Sequence, residues 1–150
     1  MTFHRILIIA IFAIAFQTNS FAQVSLGKTE TGSASYYSTS FHGKKTSFGE
    51  IYNSNELSVA HRTYPYNTML EVKNLDNNET VIVRVNDRGP FIDNRLVDLS
   101  KKAARQIGII EDGVANVSVK VIGMEGMILL DEDEEIDPKS GKIVSMLTKD

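Results

Sequence analysis

The fold is decided by an alternating segment that runs straight into a tight turn, Thr80-Val81-Ile82-Val83-Arg84-Val85-Asn86-Asp87-Arg88-Gly89-Pro90-Phe91. Val81, Val83 and Val85 recur at every second position, which predicts a strand with one buried face. The same parity places Asp87 on the core-facing side just where the strand ends. Because Asn, Asp, Gly and Pro are all turn formers, a turn explains the segment taken alone, and Asp87 is only a candidate for catalysis.

The residues before this strand predict a hairpin. Met69–Lys73 is a second alternating run, and the polar segment 76–79 separates it from the strand that begins at Thr80. Two alternating runs about a short polar turn are typical of antiparallel partners. A long ordered loop is predicted for Phe41–Asn55, which is rich in Gly, Ser, Lys and Asn.

Further short strands are predicted at 32–37, 57–61 and 117–121. One helix is predicted after Val97, with Asp98 or Ser100 as its N-cap and Gly108 at its end. Several short strands with one or two small helices favour a mainly β fold and, within that class, a small β-barrel.

Length and composition are those of one globular domain. The chain has 150 residues, 42% of them hydrophobic, and a net charge of −3. The acidic excess lies in 124–150, and segment 31–123 is close to neutral, which argues against a nucleic-acid-binding protein even if some of its basic residues cluster in space. The absence of cysteine excludes disulfides, thiolate metal sites, cysteine nucleophiles and a lipid-anchoring cysteine.

The first 22 residues predict a secretory signal peptide. Arg5 precedes an apolar run from Ile6 to Phe16, and Ser20 and Ala22 are small residues suited to cleavage before Gln23. The apolar run is short for a membrane span. We therefore expect four parts: a signal peptide (1–22), a flexible lead-in (23–31), the barrel (32–123) and an acidic, solvated C-terminal tail (124–150). We expect a further short strand within Met127–Leu130.

Several familiar catalytic motifs are missing. The chain has no Gly-Xaa-Ser-Xaa-Gly elbow, no phosphate-binding glycine-rich loop and no His-Glu-Xaa-Xaa-His helix. His42 and His61 are the histidines that remain after the predicted cleavage, and two isolated histidines are weak evidence for a metal, so neither a metal nor a cofactor is expected.

The candidate catalytic residues are Glu50, His61 and Asp87, all on segments predicted to be loops or strand ends. Two carboxylates and a histidine suit general acid and base chemistry. Each has an ordinary alternative: Glu50 as an exposed loop acid, and His61 as a hydrogen-bonded, half-buried histidine.

Aromatic residues lie close to these positions in the sequence. With the polar residues between them, they would suit a sugar-binding groove, in which rings cover the apolar faces of sugars. They could equally be part of the core or the barrel rim. The residues expected to contact a substrate are Tyr37, Phe41, Tyr52, Arg88 and Phe91.

Six segments resemble, in the same order along the chain, those of the bacterial rare lipoprotein A family. The resemblance runs from about Gly32 to Ile122 and includes Ala34–Tyr37, Phe41–Thr46, Gly49–Tyr52, Ala60–Thr63, Arg84–Phe91 and Arg95–Ser100. Members of that family have a six-stranded double-psi β-barrel and act as lytic transglycosylases on peptidoglycan. The resemblance therefore implies this fold, this activity and glycan strands as the partner.

The resemblance also implies roles for the candidate residues. Asp87 matches the catalytic acid/base, and Glu50 and His61 match its supporting acid and histidine, while Arg88 would modulate Asp87 or hold the substrate. In the implied reaction the C6 hydroxyl of N-acetylmuramic acid attacks its own C1, which breaks the β-1,4 bond to N-acetylglucosamine and leaves a 1,6-anhydro end. One acid/base can serve such an internal nucleophile.

Two departures from the family bear on location. The family name implies a lipidated cysteine, which is absent, so we expect an exported, periplasmic or secreted monomer without a stable membrane anchor. Many relatives also carry a C-terminal domain that binds peptide-stripped glycan, for which the acidic tail is too short.

Two other functions stay open on the sequence. A hydrolase on a similar barrel would use paired aspartates and water. A wall-binding module like barwin or expansin domains would share the barrel without evident hydrolysis.

Overall fold

The computed structural model describes residues 25–148, which form nine strands, one α-helix and two 3-10 helices. The strands are β1 (Thr29–Tyr36), β2 (Ser58–His61), β3 (Thr68–Asn74), β4 (Thr80–Asp87), β5 (Arg95–Leu99), β6 (Ala115–Met124), β7 (Met127–Ile128), β8 (Glu134–Ile136) and β9 (Ile143–Ser145). The helix α1 spans Lys101–Gln106, and the 3-10 helices span Thr39–Phe41 and Met146–Thr148.

The first six strands close into a barrel. Their order is β1-β5-β2-β4-β3-β6, and β1 pairs with β6 to complete the circle. The β1–β5 and β2–β4 pairs are parallel, and the other pairs in the barrel are antiparallel. This confirms the expected six-stranded double-psi β-barrel, with one short α-helix.

The barrel interior is filled by apolar side chains, mostly of valine, that occupy alternate positions along the strands. In β3, β4 and β6 every second side chain is buried, as the alternating patterns predicted. Burying each such side chain contributes about 1.5–3 kcal/mol, so the alternation also specifies the register of these strands. The buried residues of these three strands include Leu70, Val72, Val81, Val83, Val85, Val117, Val119 and Val121.

The end of β4 departs from simple alternation. Val59 of β2 pairs with Val85, but the next residue, Ala60, pairs with Asp87, so Asn86 is an extra residue in the ladder. Asn86 is buried and Asp87 is half-buried. The expectation that Asp87 keeps the core-facing parity was therefore wrong, because a bulge of one residue turns the next side chain to the other face.

Ser100, one of the two predicted caps, is the N-cap of the helix. The Ser100 hydroxyl accepts a hydrogen bond from Ala103 N at 3.2 Å and donates one to Glu56 O at 2.6 Å. Asp98 belongs instead to β5. The helix ends before Gly108, whose φ of 73° is the left-handed conformation expected after a helix.

The described chain extends beyond the predicted barrel at both ends. β1 begins at Thr29 because the backbone of its first residues pairs with β6, although their side chains are polar and show no strand pattern. After Gly123, β7 pairs with β6, as the expected short strand, and β8 pairs with β9. Part of the acidic run is thus in a hairpin, where Lys120 pairs with Asp131 and Glu134.

The predicted signal peptide lies outside the described residues. Within residues 25–148, no helix is long and apolar enough to span a membrane.

Candidate active site

A groove of about 440 Å³ lies on the outside of the barrel, beside the end of β4. Three segments line it: the residues that follow β1, the loop after β4, and β5. Of the eight sequence-predicted residues, Asp87, Tyr37, Phe41, Arg88 and Phe91 line the groove.

Asp87 is held by three hydrogen-bond donors. Its Oδ2 accepts from the Tyr37 hydroxyl at 2.7 Å, and its Oδ1 accepts from the backbone N–H groups of Ser47 at 2.7 Å and Arg88 at 2.8 Å. Because all three partners donate, both oxygens act as acceptors, as those of an ionised carboxylate do. The side chain therefore has a fixed orientation at the edge of the groove.

Tyr37 keeps its proton in this arrangement. Burial raises the pKa of the Tyr37 hydroxyl, and its hydrogen bond to Asp87 raises it further. The ring packs between Phe41 and Tyr52, with centroid distances of 5.3 and 4.9 Å. Tyr52 is 4% exposed, packs against Tyr37 and is not among the residues that line the groove, so its predicted contact with a substrate stays a prediction.

The predicted loop is a tight hairpin that presents Ser47. Gly43 N donates to Tyr52 O at 2.9 Å, and Thr46 N donates to Glu50 O at 2.7 Å, which closes the segment on itself. Gly49 has a φ of 88°, a value that glycine adopts without the steric cost of a side chain. The N–H of Ser47 therefore points from the tip of this hairpin to Asp87.

Glu50 fastens the hairpin to the barrel and does not contact Asp87. Its carboxylate forms a bidentate pair with Arg84 of β4, at 2.7 and 3.0 Å. The two side chains are 27% and 16% exposed, and the Arg84 guanidinium also donates to Asn67 Oδ1 at 2.9 Å. The hydrogen bond to Glu50 raises the pKa of Arg84. Glu50 thus ties the hairpin that carries Ser47 to β4.

His61 is also separate from the groove. Its Nδ1 accepts from the backbone N–H groups of Thr63 at 3.2 Å and Tyr64 at 3.0 Å, and its Nε2 lies 3.8 Å from Glu30 Oε2. The ring is 4% exposed and stacks on that of Tyr64. Burial lowers the pKa of His61 to about 4, so the imidazole is neutral near pH 7. None of its side-chain contacts reaches Asp87.

Two arginines join the turn after β2 to the loop after β4. Arg62 donates to the carbonyl oxygens of Pro90 and Ile92, at 2.7 Å each. In the opposite direction, Arg88 donates to the carbonyl oxygens of His61 and Tyr64. His61 therefore supports the backbone on which Asp87 lies, because it shapes the turn that receives Arg88. The Arg88 guanidinium also stacks on Phe48, at 4.5 Å from the ring centroid.

A second carboxylate, Asp98, lines the same groove. Ala60 of β2 pairs with Asp87 on one side and with Asp98 of β5 on the other. Asp98 Oδ2 accepts from Arg95 at 3.2 Å, while its Oδ1 is buried without a hydrogen-bond partner. Sequence reasoning missed this role because it treated Asp98 as a helix cap. The apolar residues Val97 and Leu99, which flank Asp98 at alternate positions and are buried in β5, are the sequence signal that could have placed Asp98 on a strand.

The groove is aromatic and cationic. Phe91 is 84% exposed and Phe41 is 44% exposed, and exposed rings of this kind can cover the apolar face of a sugar. The cationic side chains along the groove belong to Lys44, Lys45, Arg88 and Arg95. Within residues 25–148, no group of three or more histidines and acids could hold a metal ion.

The arrangement suits proton transfer on a carbohydrate. A fixed carboxylate can remove a proton from a hydroxyl, a nearby carboxyl can donate one, and the rings can hold the sugar against both. Glu50 and His61 do not line the groove, and neither forms a hydrogen bond with Asp87.

Comparison with known proteins gives the family. The family model described as "Lytic transglycolase" matches residues 29–119. The endolytic peptidoglycan transglycosylase RlpA of Campylobacter jejuni is 59% identical over 100 residues, which are 67% of this chain and 36% of that protein. The RlpA of Helicobacter pylori strain J99 is 46% identical over 122 residues, 81% of this chain and 39% of that protein. The chain spans between about a third and a half of the length of the curated relatives it matches.

Solved structures show the same fold at low identity. The Streptomyces papain inhibitor has a TM-score of 0.53 and 23% identity, and the match covers 65% of this chain and 96% of that one. The expansin of Clavibacter michiganensis has a TM-score of 0.51 and 23% identity, over 63% of this chain and 50% of that one. With a family model matched over most of its described residues, the chain belongs to the lytic transglycolase family of double-psi β-barrels.

Proposed function

We propose that this chain is an endolytic peptidoglycan lytic transglycosylase. It cleaves the β-1,4 bond between N-acetylmuramic acid and N-acetylglucosamine and leaves 1,6-anhydro ends. The observation that carries the proposal is Asp87, fixed by three donors beside a groove with exposed rings, in a chain that resembles proteins named for this activity.

Asp87 is the catalytic carboxylate in this proposal. It takes the proton of the C6 hydroxyl as O6 attacks C1, so that the C1–O6 bond forms while the C1–O4 bond breaks and the departing O4 takes up a proton. Tyr37, Ser47 and the backbone of Arg88 hold the carboxylate, and their donated hydrogen bonds supply the fixed polar environment that proton transfer requires. Phe41 and Phe91 contact the glycan, and Tyr52 supports the ring of Tyr37.

Glu50 and His61 are positioning residues here. Glu50 places the hairpin that carries Ser47, and His61 shapes the turn that binds the Arg88 side chain. The residues that line the groove all belong to this chain, and the proposed acting form is a monomer. The predicted signal peptide supports export, so that the domain meets peptidoglycan in the periplasm or after secretion.

The test is mass spectrometry of muropeptides released from purified sacculi by residues 23–150. We expect the parent protein to release fragments with 1,6-anhydro ends. Asp87→Asn should release them at least about 100-fold more slowly, because general acid–base groups contribute this much or more. Asp93→Asn, an exposed acid of the neighbouring loop, is the matched control and should release the parental amount.

The products separate this function from its alternatives. Reducing ends in place of anhydro ends would identify a hydrolase. Binding of glycan without release of any fragment, equal in the parent and in Asp87→Asn, would identify a wall-binding module.

A further inference from the structure

The two carboxylates of the groove have opposite surroundings. Asp87 has three hydrogen-bond donors on its two oxygens. Asp98 has one partner, Arg95, and its Oδ1 is buried with none. A buried carboxylate oxygen without a donor is costly when it carries charge and much less so when the group is protonated. The geometry thus favours charge on Asp87 and a proton on Asp98.

Their positions bring them to the same substrate. Both residues are register partners of Ala60 on the strands that flank β2. Two strand spacings put their Cα atoms roughly 10 Å apart, and both side chains line the groove between them. A sugar that lies in this groove would have one of the two carboxyl groups on each side of its glycosidic bond.

We propose that Asp98 is the proton donor of this site. In its neutral form it protonates O4 of the departing N-acetylglucosamine as the C1–O4 bond breaks, while the ionised Asp87 accepts the proton of the C6 hydroxyl. The inference rests on the proposed function for the identity of the bond. Asp87 and Asp98 then share the base and acid roles that the family resemblance assigned to Asp87 alone.

The step balances without water. One proton passes from Asp98 to O4 and one from O6 to Asp87, and the C1–O6 bond replaces the C1–O4 bond. Proton exchange with solvent then restores a neutral Asp98 and an ionised Asp87. Each turnover therefore consumes neither a proton nor a water molecule.

The electrostatics of the groove support the same division. Burial raises the pKa of Asp98, the guanidinium of Arg95 opposes this rise, and the charge of Asp87 adds to it, with a raised pKa as the result. The charged and titratable groups around Asp98 are Arg95 on its own strand, Asp87 at the end of β4, Tyr37 after β1, and Lys44, Lys45 and Arg88 along the groove. Two carboxyls whose surroundings favour opposite charge states are a usual basis for an acid and a base.

Leaving-group dependence tests the proposal. On glycan strands, Asp98→Asn should release fragments about 100-fold more slowly than the parent, because an alcohol leaves poorly without a proton. On a 2,4-dinitrophenyl β-glycoside of N-acetylmuramic acid, whose phenolate leaves unprotonated, the same variant should stay within a few-fold of the parent. Asp87→Asn should lose activity on both substrates, and Asp93→Asn on neither.

Three results would overturn the assignment. One is a parental rate for Asp98→Asn on glycan. Another is an equal loss on both substrates with an unchanged thermal midpoint, which would make Asp98 a positioning residue. If the parent does not cleave the aryl glycoside, the pH dependence of the rate on glycan is measured instead. The third result is then an alkaline limb of that profile that is the same in the parent and in Asp98→Glu. Product identity, anhydro or reducing, tests the proposed function separately.

Discussion

At the scale of single residues, the same chemical groups take different roles according to what surrounds them. Asp87 lies where a bulge turns it out of the core and three donors converge on it. Asp98 lies on β5, opposite Ala60 of β2, and its Oδ1 is buried without a hydrogen-bond partner. His61 is enclosed, and both of its ring nitrogens face protein groups outside the groove. Burial and hydrogen bonding, more than residue type, separate the three.

The buried imidazole of His61 predicts a pH-dependent stability. Its pKa is about 4 in the folded protein, below the usual value for an exposed histidine, so the unfolded chain binds more protons than the folded protein between about pH 4 and 6.5. Stability from this group is therefore complete above about pH 6.5 and is lost as the pH falls toward 4, by roughly 3 kcal/mol at most.

Urea denaturation from pH 7 to pH 4 measures this loss. His61→Asn keeps an acceptor near the Thr63 and Tyr64 N–H groups but removes the titrating ring, so the stability of the variant should depend less steeply on pH in this window. Equal slopes for the parent and the variant would show that His61 does not titrate in the way its burial indicates. The nearby Glu30 keeps Tyr64 and Lys28 as partners in both proteins, so its titration differs only by the part that depends on His61.

At the scale of elements, the groove is formed by short segments that are bound to the barrel and to each other by side-chain contacts. The hairpin around Ser47 is tied to β4 by the Glu50–Arg84 pair. The turn after β2 and the loop after β4 are tied by the side chains of Arg62 and Arg88, each of which binds carbonyl oxygens of the other segment. The side chains of Glu50, Arg84 and Arg62 do not line the groove, so they can order it without occupying the space of a substrate, whereas Arg88 also lines it.

The Glu50–Arg84 pair predicts a specific effect on the hairpin. Glu50→Gln removes the charge from a half-buried pair and leaves Arg84 with Asn67 and a more distant Glu125. We expect a loss of about 1–3 kcal/mol of stability, less than for a fully buried pair because both side chains are partly exposed. The amide of Ser47 should exchange faster with deuterium, and the kcat on glycan should fall while KM changes little.

The control for this prediction is Glu56→Gln. Glu56 is an exposed acid whose side chain binds Asn53, outside the groove. Its replacement should leave both exchange and kcat unchanged. A parental exchange rate at Ser47 in Glu50→Gln would contradict the view that the ion pair positions the hairpin.

At the scale of the whole molecule, the groove belongs to the barrel and the C-terminal segment does not enter it. The groove-lining residues run from Tyr37 to Asp98. The segment after β7 packs on a different part of the barrel, where Ile136 and Lys142 lie near Val81 and Ile82, and Lys142 pairs with Glu79. Stability and activity should therefore respond differently to its removal.

A chain that stops after Leu130 tests this separation. It loses the β8–β9 hairpin and the exposed ion pairs of Lys120 and Lys142, which contribute little individually. We expect the thermal midpoint to fall by about 3–5 °C, as a loss near 1 kcal/mol produces in a domain of this size. Release of fragments from glycan should stay within about two-fold of the parent. A larger loss of activity in a folded chain would give the segment a role at the groove.

The sequence predicted a small barrel and its alternating core, and it made Asp87 a candidate for catalysis. Alternation in β3, β4 and β6 is a local pattern that burial imposes on each strand, so it can be recognised one segment at a time. The resemblance to a family then ordered the candidates. Asp87, His61 and Glu50 were candidates from the residues themselves, and the resemblance assigned a role to each without predicting their contacts.

The contacts of these residues depend on segments that meet only in the folded protein. The bulge at Asn86 depends on the register between β2 and β4. Asp87 and Asp98 both pair with Ala60, because β2 lies between β4 and β5 in the sheet although it precedes both in the chain. The same holds for Glu50, which meets Arg84 across 34 residues, and for His61, which meets Glu30. Contacts between distant segments leave no periodic trace in a single sequence, because the side chains that form them are selected by proximity in the fold.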